Sequence, residues 1–277
     1  MSWLITGAGG MLGTDLAARL RTDGESIVAA TRQDLDVRDV RAVADAVTGH
    51  QFVVNCAGWT AVDDAETHEP EALALNGTAV ATLARACEAA GATLLQVSTD
   101  YVLRGDGTSP YPEDASTGPI NAYGRTKLAG ELAAQGHYIV RTAWLYGAHG
   151  PNFVTTMARL AAQRDTLDVV DDQHGQPTWT ADLAAQLVLL ARSDAPRGIY
   201  HATNAGETTW YGLARQVFTH LGFDPSRVNP TTSDKFPRPA ARPSYSVLGH
   251  NAWLAAGLPP MRDWHEALTA YHRTLTP

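Results

Sequence analysis

One short run constrains this chain more than any other: Gly7-Ala8-Gly9-Gly10-Met11-Leu12-Gly13, close to the N-terminus. It follows directly on an apolar stretch at residues 3–6 and opens an amphipathic one at 11–22. Glycines between a strand and a helix let the backbone turn tightly and come close to a pyrophosphate, which then rests on the positive end of the helix. In this strand–turn–helix setting the run reads as the phosphate-binding turn of a dinucleotide-binding fold.

The remainder of the chain repeats the same alternation. Apolar runs at 26–30, 52–56, 93–97, 138–142 and 167–170 read as strands. Stretches of helical periodicity at 39–48, 70–90, 121–135, 152–163 and 180–191 fall between or after them. Strands apolar on both faces and alternating with helices imply a parallel sheet covered on both sides, its strands joined by right-handed crossovers. At 277 residues the chain holds about two units of ~150 residues each. The expected fold class is α/β, a Rossmann-type doubly wound parallel sheet with a smaller C-terminal substrate-binding lobe. Residues 1–150 would form the NADP-binding Rossmann part, with 178–192 returning to it, and 151–277 mainly the lobe. Within the lobe, 224–245 is rich in Pro, Ser and Thr and reads as a long functional loop, flanked by helices at 209–221 and 263–274.

Composition removes whole classes of function. A formal net charge of −8 argues against a general polyanion binder, so nucleic acid is not an expected partner. A small anion held by a local arginine cluster stays open. Neither a basic–apolar leader nor an apolar run of the ~18 residues that a membrane span needs is found, so the expectation is a cytoplasmic protein with no membrane partner. Cys56 and Cys87 both lie in apolar stretches and read as buried, reduced thiols.

Two further motifs carry chemistry. In Tyr123-Gly124-Arg125-Thr126-Lys127, four-residue spacing on a helix puts Tyr123 and Lys127 on one face. An ammonium there lowers the phenol's pKa from its reference value of ~10, making it a proton donor near neutrality. Nine tyrosines and two lysines make a chance Tyr-x-x-x-Lys roughly a 0.06 event in this chain, which sharpens an otherwise weak pattern. Val97-Ser98-Thr99-Asp100-Tyr101-Val102 closes the fourth strand, at the carboxyl end where ligands meet parallel sheets. The Thr99 hydroxyl can polarise a substrate carbonyl there. Asp100 reads equally as a ligand of sugar hydroxyls or as a cap of the following loop. The second strand ends Ala29-Ala30-Thr31-Arg32, without the acid that would bind ribose hydroxyls. Arg32 either pairs with a ribose 2′-phosphate or stays solvated, so NADPH is expected over NADH, with NADH possible.

These features and several others resemble the dTDP-4-dehydrorhamnose reductase family, dTDP-4-keto-6-deoxyhexose 4-ketoreductases of the extended short-chain dehydrogenase/reductase superfamily. The resemblance rests on the Gly-x-x-Gly-x-x-Gly spacing and on segments 55–63, 75–76, 98–102, 123–131, 141–146, 152–153, 172–178 and 242–244, and it spans residues 3 to about 250. It implies reduction by NADPH of the 4-keto group of a dTDP-linked 4-keto-6-deoxyhexose, in nucleotide-deoxysugar biosynthesis. Thr99, Tyr123 and Lys127 correspond to the catalytic set. Gly7, Gly10, Met11 and Leu12 correspond to the pyrophosphate turn, and Asp36 and Val37 to an acid–apolar pair beside the adenine. Gly58, Trp59, Thr60 and Ser98 correspond to stretches lining the cofactor, which Tyr123 and Lys127 also touch. Asp100, Tyr101, Trp144, Gln173 and Arg242 join Thr99 on the substrate side, Trp144 as an aromatic wall against the hexose unless it is a core residue.

Departures from the family pattern are confined. Gly58-Trp59 stands where a small–His pair is commoner. Asp15 matches one ligand of a magnesium ion that bridges dimers in some members, but 178–182 supplies no clear second, so no metal is expected. The chain would be a monomer or a homodimer. Three rival readings stay open: a related 4-ketoreductase for an antibiotic deoxysugar, an epimerase or dehydratase with tightly held NAD, and a non-catalytic regulatory subunit of the same fold. Arg32 argues against the second, and the intact Thr99, Tyr123 and Lys127 set argues against the third.

Overall fold

The structure, a computed structural model, describes residues 1–275. Strands and helices alternate from the start: β1 (Ser2–Thr6), α1 (Met11–Thr22), β2 (Ser26–Ala30), α2 (Val40–Val47), β3 (Phe52–Asn55), α3 (Glu69–Leu73), α4 (Ala79–Ala90), β4 (Thr93–Thr99), α5 (Ala122–Ala133) and β5 (Tyr138–Thr142). There follow β6 (Leu145–Tyr146), α6 (Phe153–Gln163), β7 (Leu167–Val170), β8 (His174–Gly175), β9 (Thr178–Trp179), α7 (Thr180–Arg192) and β10 (Gly198–His201). The chain ends with β11 (Thr208–Thr209), α8 (Trp210–His220), β12 (Val228–Thr231), α9 (Asn251–Ala255) and α10 (Trp264–Leu275).

Six strands form one parallel sheet in the order β10-β5-β4-β3-β1-β2. Every residue of β3 and β5 is buried, which demands cover on both faces. Successive side chains of β1 point to opposite faces. Trp3 and Ile5 meet Leu16 and Leu20 of α1 and Leu183 and Leu187 of α7. Leu4 meets the other layer, Val43 and Val47 of α2 and Leu83 and Cys87 of α4. Each fully buried aliphatic side chain contributes roughly 1.5–3 kcal/mol, so the sheet is a stiff platform. Strand order reverses beside β1, with β2 on one side and β3 on the other. The crevice at the carboxyl ends of β1 and β3 is the switch point where open α/β sheets bind ligands.

Three elements differ from the sequence reading. β10 adds a sixth strand beside β5, so the sheet draws on the region read as mainly lobe. Its four residues start with glycine and are half-exposed at that end, too short a pattern to register. β7 forms where expected but pairs with β12 in a separate two-stranded sheet, because only Val169 of its four residues is buried. The helix expected over 70–90 is broken by a π turn at Ala74–Thr78 and ends at Gly91, which adopts φ +67°. The turn brings Asn76 to the backbone of Trp59, donating to its carbonyl at 3.1 Å and accepting from its amide at 2.8 Å. A widened turn at a ligand-binding position is a recurrent use of π geometry.

The smaller lobe has its own core, where Val154 and Met157 of α6, Leu213 and Phe218 of α8, and Leu268 and Tyr271 of α10 pack together. The stretch over 224–245 holds β12 and a 3-10 turn at Ser233–Lys235. Beyond it, Tyr245 and Leu248 bridge to Asp106 and Tyr111, which lays this segment over the rim of the sheet. Among the described residues no helix is long and apolar enough to cross a membrane.

Candidate active site

The glycine turn is built for close approach. Gly7 has φ +65°, and a Cβ there would lie 2.5 Å from the Ala57 amide nitrogen; one on Gly13 would lie 2.5 Å from the Gly7 carbonyl oxygen. The N-cap of α1 is Gly10, with no side-chain cap, so the first-turn amides at Met11 and Leu12 remain to serve an anion. This cradle fits a dinucleotide pyrophosphate.

Two cavities open from the turn. The first, about 630 Å³, is lined by Gly7, Gly10, Arg32, Asp36, Val37, Gly58 and Trp59 among others, which brings together seven residues expected to hold the cofactor. Arg32 is exposed there and has no hydrogen bond or ion pair among the described residues. Asp36 is held by Arg38 through bonds of 2.9 and 2.7 Å, which lowers its carboxyl to about 2. The second cavity, about 490 Å³, shares Gly10 and Gly58 with the first. Met11, Leu12, Thr60, Ser98, Thr99, Asp100, Tyr101, Tyr123, Lys127 and Trp144 line it. The expected catalytic set is therefore in one place.

The local sequence explains how. Asn121 caps α5, its side chain accepting from the Gly124 amide at 2.8 Å, and so fixes where the helix carrying Tyr123 and Lys127 begins. β4 ends in extended backbone at Thr99, whose hydroxyl accepts from the Tyr101 amide at 3.3 Å and caps a 3-10 turn. That hydroxyl donates to Asp100 at 2.9 Å. The Tyr123 phenol lies near the Thr99 hydroxyl, which opposes the effect of burial on it.

The electrostatics correct one expectation. Burial pushes the Tyr123 phenol well up from its ordinary value, against the opposing effect of the Thr99 hydroxyl. Lys127 does not lower it. Its ammonium donates to the Val97 carbonyl at 2.7 Å, and burial brings Lys127 down to about 8. Helical spacing puts the two side chains on one face, but burial is the largest influence on both. Burial also pushes Cys56 up to about 12, which removes it as a nucleophile. Cys56 is only half-buried and lines both cavities, whereas Cys87 is buried as expected.

Other assignments shift in detail. The Ser98 hydroxyl is turned away from the cofactor side and donates to Glu131 at 2.5 Å. Asp100 is buried and fully engaged, accepting from Thr99 and from Ser246 at 2.6 Å, so it neither caps the loop simply nor stands free for a sugar. Trp144 takes a positive φ of 44°, a strained conformation for a bulky residue and one that marks functional sites. Its indole stacks on Trp210 at 3.6 Å and 11°. Gln173 and Arg242 are not among the residues lining the two cavities. Gln173 accepts from the Trp210 indole N–H at 3.1 Å and donates to Ser233 at 2.8 Å. Arg242 pairs with Asp63 at 2.9 Å and donates to the Ala240 carbonyl at 2.8 Å. Asp15 accepts from Thr180 at 2.5 Å and pairs with His149 at 3.4 Å.

Sequence reading missed Trp210, Thr142 and Ser246. Trp210 follows the cap residue Thr209 at the start of α8, where a core-facing pattern gives no reason to expect an aromatic; an unexplained Trp at a helix start is the one signal it carried. Thr142, at the end of β5 and level with Thr99, is buried with its hydroxyl unpartnered on the wall of the second cavity.

Comparison with known proteins agrees with this geometry. The model of the RmlD substrate binding domain matches residues 1–276. The chain is 56% identical to a dTDP-4-dehydrorhamnose reductase of Streptomyces griseus, over 96% of this chain and 91% of that one. It is 53% identical to a dTDP-4-keto-6-deoxy-D-glucose reductase of Streptomyces niveus, over 96% and 95%. Among solved structures, a dTDP-4-dehydrorhamnose reductase of Bacillus anthracis in complex with NADP superposes with a TM-score of 0.94 at 34% identity, covering 99% of each chain.

Proposed function

Since the chain belongs to the family of the RmlD substrate binding domain, that of the dTDP-4-dehydrorhamnose reductases, we propose that it reduces the 4-keto group of a dTDP-linked 4-keto-6-deoxyhexose with NADPH, in the cytoplasm. The observation that carries this reading is that one cavity holds Thr99, Tyr123 and Lys127 together and adjoins the glycine-turn cleft.

Each residue has a task that follows from its surroundings. The amides of Met11 and Leu12 hold the pyrophosphate, and the unpaired Arg32 takes the ribose 2′-phosphate. NADPH, when bound, supplies the hydride. Burial keeps Tyr123 protonated at neutral pH, which is the form that can donate to the ketone oxygen as negative charge develops there. Thr99 lines the same cavity beside the phenol. Lys127, tied to Val97 beneath the cavity, holds the nicotinamide ribose and places positive charge near the developing alkoxide. The Trp144–Trp210 stack forms the apolar wall against the hexose and excludes water.

Tyr123→Phe removes the proton donor and little else. The expected loss in kcat is ~10²–10⁴-fold, with the NADPH Kd within about twofold of wild type. A variant that turns over at near the wild-type rate contradicts the assignment.

A further inference from the structure

The Thr99 proton is committed before any substrate arrives. A hydroxyl has one proton and two lone pairs. The Thr99 proton goes to Asp100 Oδ1 at 2.9 Å. One lone pair accepts from the Tyr101 amide at 3.3 Å. Nothing remains to donate to a ketone. Asp100, which takes the proton, is 2% exposed and has no cation paired with it among the described residues; its other oxygen accepts from Ser246 Oγ at 2.6 Å. The titratable groups that face it are the phenols of Tyr101 beside it and Tyr123 on α5, both without positive charge, while Arg242 acts on Tyr101.

We propose that Asp100 is a positioning residue whose proton decides which way the Thr99 hydroxyl points, a step that rests on the ketone-reductase reading above. With Asp100 ionised, Thr99 donates to the carboxylate, and only the Tyr123 proton is available to the ketone. With Asp100 protonated, the carboxyl donates to Thr99 Oγ1. That bond and the Tyr101 amide then fill both lone pairs, and the Thr99 proton swings into the cavity. The ketone oxygen then meets two donors instead of one. Burial raises Asp100 to about 6, against the Ser246 and Thr99 bonds, which separates its titration from that of Lys127 near 8. Ser246 sets the position of the switch, because its donation favours the ionised form.

The test is kcat between pH 5 and 8 with NADPH and dTDP-4-keto-6-deoxy-D-glucose, together with a carbon-13 titration of the Asp100 carboxyl in the enzyme alone. Wild type is expected to gain roughly two- to tenfold as pH falls through about 6, the worth of one hydrogen bond. Asp100→Asn, which still accepts from Thr99 but has no proton to gain over this range, is expected to lose the inflection near pH 6, whatever its absolute rate. Ser246→Ala is expected to move the inflection to higher pH in both kcat and carbon-13 shift. An inflection that survives in Asp100→Asn, one that stays put in Ser246→Ala, or a carboxyl silent over this range overturns the proposal while leaving the reductase reading intact. If wild type consumes no NADPH with any dTDP-4-keto-6-deoxyhexose, the reductase reading itself is overturned, and this proposal with it.

Discussion

Replacing Glu131 with glutamine probes the ion pair on which the floor of the site rests. Arg141 is 1% exposed and Glu131 4%. They share two bonds, Nε to Oε1 at 2.9 Å and Nη2 to Oε2 at 2.8 Å, and Ser98, the neighbour of Thr99, donates a third at 2.5 Å. Glutamine keeps the shape and loses the charge, so the guanidinium is stranded. Among the described residues its remaining polar neighbours are the Glu113 carbonyl and His201 Nε2, each at a long 3.4 Å. His201 is neutral, since burial and Arg141 bring it down to about 3, and it offers no countercharge. Breaking one side of a buried pair costs ~3–5 kcal/mol. For a chain of this size each kcal/mol moves Tm by ~2–4 °C, so a fall of roughly 6–20 °C is expected by circular dichroism. Removing both charges, as Glu131→Leu with Arg141→Met, is expected to recover most of the loss, because an apolar pair of similar volume avoids the desolvation cost. A Tm within about 2 °C of wild type for Glu131→Gln alone would refute the reasoning.

Two further outcomes follow from the same physics. Lys127→Met is expected to raise stability at pH 7 while abolishing turnover: below pH 8 the folded chain bears the cost of a buried ammonium, up to about 3 kcal/mol. Between about 8 and the unfolded value of ~10.4 the unfolded chain holds a proton that the folded one lacks, so wild-type stability rises with pH and the gap to the variant must shrink by pH 10; an equal gap at pH 7 and pH 10 counts against it. Arg32→Ala is expected to raise KM for NADPH roughly tenfold to hundredfold, the worth of a charge-assisted bond, and to leave KM for NADH unchanged; equal effects on both coenzymes would remove Arg32 from the 2′-phosphate.

What was legible in the sequence is what chemistry ties to spacing along the chain. A glycine turn must lie between one strand and one helix, and Tyr123 and Lys127 share a face because four residues make about one helical turn. Thr99 is readable because β4 ends at it. The partners that decide how these groups behave come from elsewhere. Ser246 reaches Asp100 across 146 positions, and Asn76 reaches Trp59 only because a π turn interrupts its helix. Trp210 meets Trp144 through the packing of α8 against the lobe core, which no local pattern encodes. β10 escaped notice because a four-residue edge strand has too few alternations to stand out.

The Tyr123–Lys127 pair shows why this division runs between contact and charge. Spacing correctly brought the two side chains together, yet the inference from proximity to an acidified phenol failed. A pKa depends on everything that displaces water from the group, and the walls around Tyr123 come from Trp59, Ala65, Ala72 and the Tyr101 ring. Those walls raise the phenol further than the neighbouring Thr99 hydroxyl lowers it, while the Lys127 ammonium is spent on the Val97 carbonyl. On the proposed mechanism the proton donor is therefore a neutral tyrosine that burial moves further from ionising, and the rate it would support depends on charge developing on the substrate.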